Sequence, residues 1–286
     1  RPRREGDKCR RPCEDASQEP RQGQRRGAEV TIRVLGVDIG GSGIKGAPVE
    51  TKSGKLLGER HRIPTPQPPT PKGVARTVAE IVKHFKWRGP IGCGIPAVVQ
   101  EGRVRTAANI SKTWIGVDGA ALLKKATKCD LALINDADAA GYAEMHFGAG
   151  RGQAGVVLVV TLGTGIGTAL FTNGHLVPNT ELGHIEIHDV EAEALAADRI
   201  RSAEDLTWKK WAKRVDKYLD YIQRYLWPDL VIVGGGVSKK SEKFLPRLSV
   251  RTKVVPAKLE NEAGIVGAAL AYEHAKRRAG EKRWLD

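Results

Sequence analysis

Apolar positions along the chain fall into two regimes: short β-branched runs, and longer stretches in which they recur at helical spacing. Val30-Thr-Ile-Arg-Val-Leu-Gly-Val-Asp38 is of the first kind and predicts a buried strand. Gly40-Gly-Ser-Gly43 then predicts a turn, followed by a second strand to about Glu50, a Ser53-Gly54 turn and a third strand through Leu56-Leu57. Five prolines between residues 63 and 72 exclude both a helix and a central strand there. Val74, Val78, Ile81, Val82 and Phe85 repeat at helical spacing, which predicts a helix from Val74 to Trp87. Strands are predicted at 91–95, 98–105 and 131–135, and helices near 118–127 and at 137–147. Further on, Val156-Val-Leu-Val-Val-Thr161 predicts a strand, Gly163-Thr-Gly-Ile-Gly167 a turn and 168–172 another strand. Asn173-Gly174 marks a hairpin. Leu206, Trp208, Trp211, Val215, Leu219, Ile222 and Leu226 share one face of a helix predicted over 203–226, where the tryptophans read as core. A strand at 229–233 runs into Gly234-Gly-Gly236 and a helix start, and a closing helix is predicted over 264–279. Alternating strands and helices define an α/β protein.

One internal repeat shapes the architecture. Gly41-Ser-Gly-Ile44 and Gly163-Thr-Gly-Ile166 each follow one buried strand and precede another, and each pair leads to a second tight turn. Either these are two ordinary glycine hairpins, or they face each other across a cleft as a pair of backbone N–H clamps for a phosphate chain.

Composition narrows the classes. No apolar run approaches the ~18 residues of a membrane helix, and the N-terminus is polar throughout, so the sequence reads as cytoplasmic. Four scattered cysteines (Cys9, Cys13, Cys93, Cys129) make neither a disulfide scaffold nor a zinc site. The 47 Lys and Arg against 33 Asp and Glu give a net charge of +14, which calls for an anionic partner. Residues 1–29 hold nine basic and six acidic residues with almost no apolar content, and are expected to be a disordered basic tail. The tail has no aromatic residue to stack on bases, and most of the excess charge lies in the body.

Gly41-Ser-Gly-Ile-Lys-Gly46 matches the dinucleotide fingerprint in letters only, because a hairpin through Ala47-Pro48-Val49 follows it where the fingerprint needs a helix. No P-loop, H-R-D or D-F-G motif occurs. Asp38, just before the first glycine turn, suits either turn stabilisation or a magnesium ion, and Lys45 lies just after the turn. Asn135-Asp136 ends a buried strand and enters a helix. That position fits helix capping, and equally a carboxylate at the ligand-binding end of a sheet that accepts a proton from an attacking hydroxyl. The period-two run Glu181-Leu-Gly-His184-Ile-Glu186-Ile-His188 would place His184, Glu186 and His188 on one strand face, which admits a two-His-one-carboxylate metal site. Gly234-Gly-Gly236 after a strand offers backbone N–H groups to phosphate or a nucleotide.

In this order the motifs resemble the sugar-kinase branch of the ROK (repressor, open reading frame, kinase) family, and within it the polyphosphate-using glucokinases and glucomannokinases. The resemblance spans about 30–280. It rests on Asp38-Ile-Gly-Gly-Ser-Gly-Ile-Lys45, Gly94-Ile-Pro96, Asn109 ahead of Trp114, Asn135-Asp136, Gly163-Thr-Gly-Ile-Gly167, Glu181-Leu-Gly-His184 and Gly234-Gly-Gly236. The segment Thr65-Pro-Gln-Pro-Pro-Thr-Pro-Lys72 resembles one found in the polyphosphate users.

The resemblance implies a two-lobed actin-like (ribonuclease H-like) ATPase fold with a central cleft. Its small lobe would comprise 30–135 plus 264–286, and its large lobe 136–263. Asp136 would be the general base on the sugar 6-hydroxyl, needing no raised pKa because the proton leaves late. Asn109, Asn135, Glu181, His184 and Glu193 would hold the sugar. Gly40, Gly41, Ser42, Gly43, Lys45, Gly163, Thr164, Gly165, Gly235 and Gly236 would hold the donor phosphates, with Mg2+ at Asp38. The family's C-x-C-G-x-x-G-C zinc motif is absent, since no cysteine occurs between 184 and 286, so structural zinc is not expected. The expected activity is phosphorylation of glucose or mannose by polyphosphate or ATP, with no nucleic-acid or membrane partner and a homodimer allowed. The alternatives are a sugar-responsive regulator of the same family and a nucleic-acid-processing enzyme on the ribonuclease H-like fold.

Overall fold

A computed structural model describes residues 32–282; the expected tail 1–29 lies outside them. The first half runs β1 (Arg33–Ile39), β2 (Ile44–Glu50), β3 (Lys55–Leu56), β4 (His61–Ile63), α1 (Pro71–His84), β5 (Ile91–Ile95), β6 (Val99–Gln100), β7 (Arg103–Val104), α2 (Gly119–Thr127) and β8 (Leu131–Asn135). The second half runs α3 (Asp136–Phe147), β9 (Val156–Leu162), β10 (Ile166–Thr172), β11 (His175–Val177), α4 (Ala192–Ala196), α5 (Asp198–Ala203), α6 (Trp208–Leu226), β12 (Leu230–Gly234), β13 (Lys253–Pro256) and α7 (Ala263–Lys282).

The repeat seen in the sequence is a repeat in space. One sheet has the order β3-β2-β1-β5-β8, with β4 also paired to β2, and the other has β11-β10-β9-β12-β13. In both, a leading hairpin is antiparallel and the next two strands join in parallel beyond it. Parallel strands need helical crossovers, and these supply the outer layers. Helix α1 is capped by Thr70, carries Pro71 in its first turn and buries Val74, Val78, Ile81 and Val82. That face joins Leu35, Val37 and Ile91 in one core. Helix α6 buries Trp211, Val215, Tyr218, Leu219 and Ile222, which pack with Leu158, Val160 and Val231 of the second sheet.

Between the sheets lie α3 and α7, packed along each other, and a third core joins Val34 and Val49 to Val157, Phe171 and Ile265. Helix α7 comes within backbone contact of the first sheet because glycines face it. A β-carbon at Gly36 or Gly92 would collide with the carbonyl oxygens of Ile265 or Ala268, and one at Gly267 with that of Ala139 on α3.

Several local expectations are corrected. Helix α1 starts at Pro71, inside the 63–72 segment expected to hold no helix, because proline is tolerated in a helix's first turn. The strand expected over 98–105 is a hairpin, β6 and β7, because Glu101 and Gly102 both adopt positive φ (52° and 79°) as in a tight I′-type turn. The helix expected over 203–226 is the single helix α6, but it starts only at Trp208 behind the Thr207 cap, and a short helix that was not expected, α5, precedes it. A 3-10 helical run with a kink at Lys240, over Gly236–Lys243, stands where an α-helix was expected after the glycines. Strand β13 has no counterpart in the reading; it is a four-residue edge strand ended by Pro256. Among the described residues no helix is long and apolar enough to cross a membrane.

Candidate active site

Both glycine turns and the ends of β8 and β12 meet at one place. A cavity of about 280 Å³ is lined by Gly41, Asn109, Asn135, Asp136, Gly163, Thr164, Gly165, Glu181, His184, Glu193 and Gly235, among others. A second cavity of about 220 Å³ is lined by Asp38, Lys45, Asp136, Thr161, Gly234, Gly235, Gly236, Glu260 and Asn261, among others. Asp136, Ala137, Thr161 and Gly235 line both.

Asn135 and Asp136 are placed by the β8–α3 junction. Asn135 Oδ1 accepts from the backbone N–H groups of Ala137 (2.8 Å) and Asp138 (3.0 Å), so capping is real. Its amide Nδ2 is left to face the cavity, where it donates to the Ala97 carbonyl (3.2 Å) and to Glu181 Oε1 (3.5 Å). Capping therefore falls to Asn135, while the carboxylate of Asp136 lies between the two cavities. Burial pushes the Asp136 pKa up to about 7, with Asp38 and Glu181 adding repulsion and the Ala137 N–H opposing it. The chemistry does not require a raised pKa; the shift follows from the partly buried position of the carboxyl beside two other acids.

Asp38 is also held above the usual carboxylate range, chiefly by burial, although Lys45 Nζ lies 3.5 Å away and pulls it down. In the second sheet Thr161 takes the place that Asp38 has in the first, one residue before the strand end and on the antiparallel pair with the next strand. Thr161 went unnoticed in the sequence, although aligning the two repeats would have found it.

The sugar-directed candidates converge from separate elements. Glu181 and His184 flank a 3-10 turn, Leu182–His184, with His184 Nε2 3.5 Å from Glu181 Oε2 and Nδ1 3.7 Å from Glu191. Burial raises the Glu181 pKa, His184 lowers it, and Glu193 raises it again. Thr168 fixes this segment by donating to the Thr180 carbonyl (2.5 Å) and accepting from Leu182 N–H (3.2 Å). Glu193, on α4, accepts from Ile166 N–H (3.0 Å) and lies 3.8 Å from Arg199. Its carboxylate fills the space above Gly165, where any β-carbon would strike it, and Asn109 Nδ2 approaches the same point. The strand face expected to carry His184, Glu186 and His188 does not form. The chain turns at 182–184, and His188 and Asp189 take positive φ (52° and 62°), so the extended backbone that a period-two face requires is broken at both ends. Among the described residues no group of three or more His, Cys, Asp or Glu is arranged to hold a metal.

In the first glycine turn, Gly40 N–H donates to the Gly43 carbonyl (3.1 Å) and Arg62 to the Ser42 carbonyl (2.7 Å); Gly41 reaches the larger cavity and Lys45 the smaller. The proline segment braces this turn. Thr65 Oγ1 donates to the Gly40 carbonyl (2.5 Å), and the Pro69 carbonyl accepts from Trp114 Nε1 (3.0 Å).

Paired hairpin-led sheets flanking two helices, with cavities at the strand ends, define an actin-like ATPase fold. Residues 34–195 match the ROK family, and the chain belongs to that family. It is 49% identical over 257 residues to the polyphosphate glucokinase of Mycobacterium tuberculosis (strain CDC 1551 / Oshkosh), covering 88% of this chain and 96% of that protein. The inorganic polyphosphate/ATP-glucomannokinase of Arthrobacter sp. strain KM superposes with a TM-score of 0.81 at 48% identity, over 83% of this chain and 97% of that one. A ROK family glucokinase from Streptomyces griseus, solved with glucose and AMPPNP, shares the fold at a TM-score of 0.72 and 23% identity, over 83% and 98% of the two chains.

Proposed function

We propose that this chain transfers a phosphoryl group from inorganic polyphosphate, and from ATP, to the 6-hydroxyl of glucose, with mannose as a second acceptor. The observation that carries the reading is Asp136, a single carboxylate shared by two adjoining cavities of different character. The larger presents amide, carboxylate and imidazole groups, which is what a polyol requires; the smaller presents a lysine and the glycine run. The relatives named as polyphosphate glucokinase and polyphosphate/ATP-glucomannokinase support the choice of donor and sugar.

In this reading Asn109, Asn135, Glu181, His184 and Glu193 orient the sugar so that its 6-hydroxyl faces Asp136. The donor chain lies along the turns at 40–43 and 163–165 and along Gly235-Gly236, with Lys45 offsetting its charge. Phosphoryl transfer passes through a loose transition state, so positioning and charge neutralisation supply most of the acceleration. Asp136 takes the hydroxyl proton as the new O–P bond forms. Meanwhile the bond from that phosphorus to the donor's bridging oxygen breaks, and the oxygen leaves with its electron pair on a polyphosphate one unit shorter, or on ADP. Four carboxylates, Asp38, Asp136, Glu144 and Glu260, line a cavity containing one lysine, so the site is short of positive charge and fits Mg2+ arriving with the phosphates. Asp38 would hold the ion directly or through water, and the ion would neutralise charge on the donor. The lobes, in this reading, are 30–135 with 264–286, and 136–263.

The test is glucose phosphorylation with Mg2+, run with polyphosphate and with ATP, and repeated with mannose. Glucose 6-phosphate formed from polyphosphate is the expected product. Activity with neither donor on either sugar overturns the proposal.

A further inference from the structure

We infer that Arg201, Lys240 and Lys243, gathered around Trp208, form an outer anchor for the distal units of a long polyphosphate whose reacting end lies in the cleft. The inference rests on the donor assignment above and extends it beyond the two cavities.

The three cations converge on one aromatic ring from two separate elements. Arg201 of α5 lies over the Trp208 ring, 4.4 Å from its centre, and Lys240 and Lys243 Nζ lie 5.9 and 5.7 Å from it. Arg201 is balanced by Asp198 at 2.7 Å. Lys240 and Lys243 make no ion pair with a carboxylate among the described residues, whereas neighbouring Lys239 is paired with Glu260 at 2.9 Å. Cation–π attraction at such partly exposed distances is modest, about 0.5–1 kcal/mol per contact. It leaves the like charges of Lys240 and Lys243, which no carboxylate offsets among the described residues, to be relieved by something anionic.

The patch continues directly from the donor end of the site. Lys240 and Lys243 belong to the 3-10 helical run that starts at Gly236, and Gly236 itself lines the smaller cavity. They follow Gly236 by four and seven residues along that run, which kinks at Lys240. Helix α5 makes the other connection: Arg199 N–H donates to the Gly163 carbonyl (3.0 Å) in the second glycine turn, and Arg201 is two residues further on. Glu260, the partner of Lys239, lines the smaller cavity too. Cations therefore extend from both phosphate-facing glycine segments to Trp208.

The chemistry of the patch selects a chain of phosphates without bases. Trp208 is not free to stack on a base, since Arg201 covers it and Phe244 stacks against it at 6.2 Å with planes 16° apart. Single-stranded nucleic acid gains much of its binding from open aromatic faces. ATP ends its charge at three phosphates and has nothing anionic to extend past the glycine run. A long polyphosphate does.

The test compares long-chain polyphosphate with tripolyphosphate in the wild type and in the double variant Lys240→Glu, Lys243→Glu, both by direct equilibrium binding and by steady-state kinetics. The wild type should bind the long chain more tightly than tripolyphosphate. In the variant, long-chain affinity should fall and its KM rise about tenfold, with kcat held, while tripolyphosphate constants move less than twofold. The slope of log affinity against log salt for the long chain should also become shallower by about one unit or more. Equal binding of long and short chains by the wild type, or equal losses for both in the variant, overturns the anchor. A wild type that binds polyphosphate by this pattern but transfers nothing from it would leave the anchor standing and defeat the donor assignment.

Discussion

At Asp136 two effects oppose each other: the first turn of α3 favours a negative charge, while burial beside Asp38 and Glu181 disfavours it. Burial wins, and the pKa settles near 7. The base form is then present above about pH 7 and lost below it, so kcat/KM should fall up to tenfold per pH unit on the acid side, as a pH–rate profile would show. Asp136→Asn should cost about 10²–10⁴ in turnover while isothermal titration still detects sugar binding; a variant with wild-type turnover would remove Asp136 from the proposed role. Asp138, two residues on, is fully buried, with Oδ2 accepting from Asn179 N–H (2.8 Å) and Oδ1 unpartnered; its pKa is also raised to about 7, first by burial. Between the unfolded carboxylate value near 4 and pH 7 the folded chain holds this proton and the unfolded chain does not. Stability should therefore fall as pH rises through that window. Thermal unfolding at pH 5 and pH 8 should show the loss, and Asp138→Asn should shrink it.

Elements with strong local signals were readable in the sequence. The two strand–glycine–strand units, the apolar face of α1 and the hairpin at Asn173-Gly174 each rest on residues that dictate their own backbone, whereas the start of α1 at Thr70-Pro71 was missed. The failures share a cause, which is that tertiary contacts decided the local shape. Glu181 to His188 has a clean period of two, yet Thr168 and the backbone of Thr180 and Leu182 bend it into a 3-10 turn. Glu101-Gly102 lacks the Asn-Gly signal that betrayed the other hairpin. Edge strand β13 is too short to announce itself. Of the cavity lining, Asn109, Asn135, Asp136, Glu181, His184 and Glu193 were expected from the family resemblance, whereas the bracing by Thr65 and the position of Thr161 needed the fold. Helix α4 also explains why Gly165 must stay a glycine. Gly165→Ala drives a β-carbon into the Glu193 carboxylate, so KM for glucose should rise about tenfold or more with unfolding temperature nearly unchanged. Unchanged sugar kinetics would separate Glu193 from the sugar.

For the whole molecule, charge and metal make distinct demands. In the proposed reading the cation at Asp38 and Asp136 arrives with substrate, and among the described residues no group of three or more His, Cys, Asp or Glu is placed to hold another metal. EDTA should therefore abolish turnover, and added Mg2+ restore it, while the unfolding temperature stays constant across both steps. A large drop in unfolding temperature on chelation would point to a structural metal. Helix α7 makes the complementary demand on packing. Gly92→Ala forces a β-carbon into the Ala268 carbonyl, and overpacking of this kind costs about 1–3 kcal/mol or more, which urea unfolding would measure.

The same contact sets a timetable for synthesis. Strands β1, β5 and β8 are made early, but the helix that covers their inner face begins at Ala263. Until the ribosome has released α7, the first sheet has its outer helices and one bare side, and contacts this distant in sequence form slowly. Nascent chains arrested before Ala263 should stay protease-sensitive over residues 33–135, and chains arrested well beyond Lys282 should become resistant. The cavity that Asp136 lines therefore lacks its α7 wall, Ala263 and Gly264, until that helix has been made.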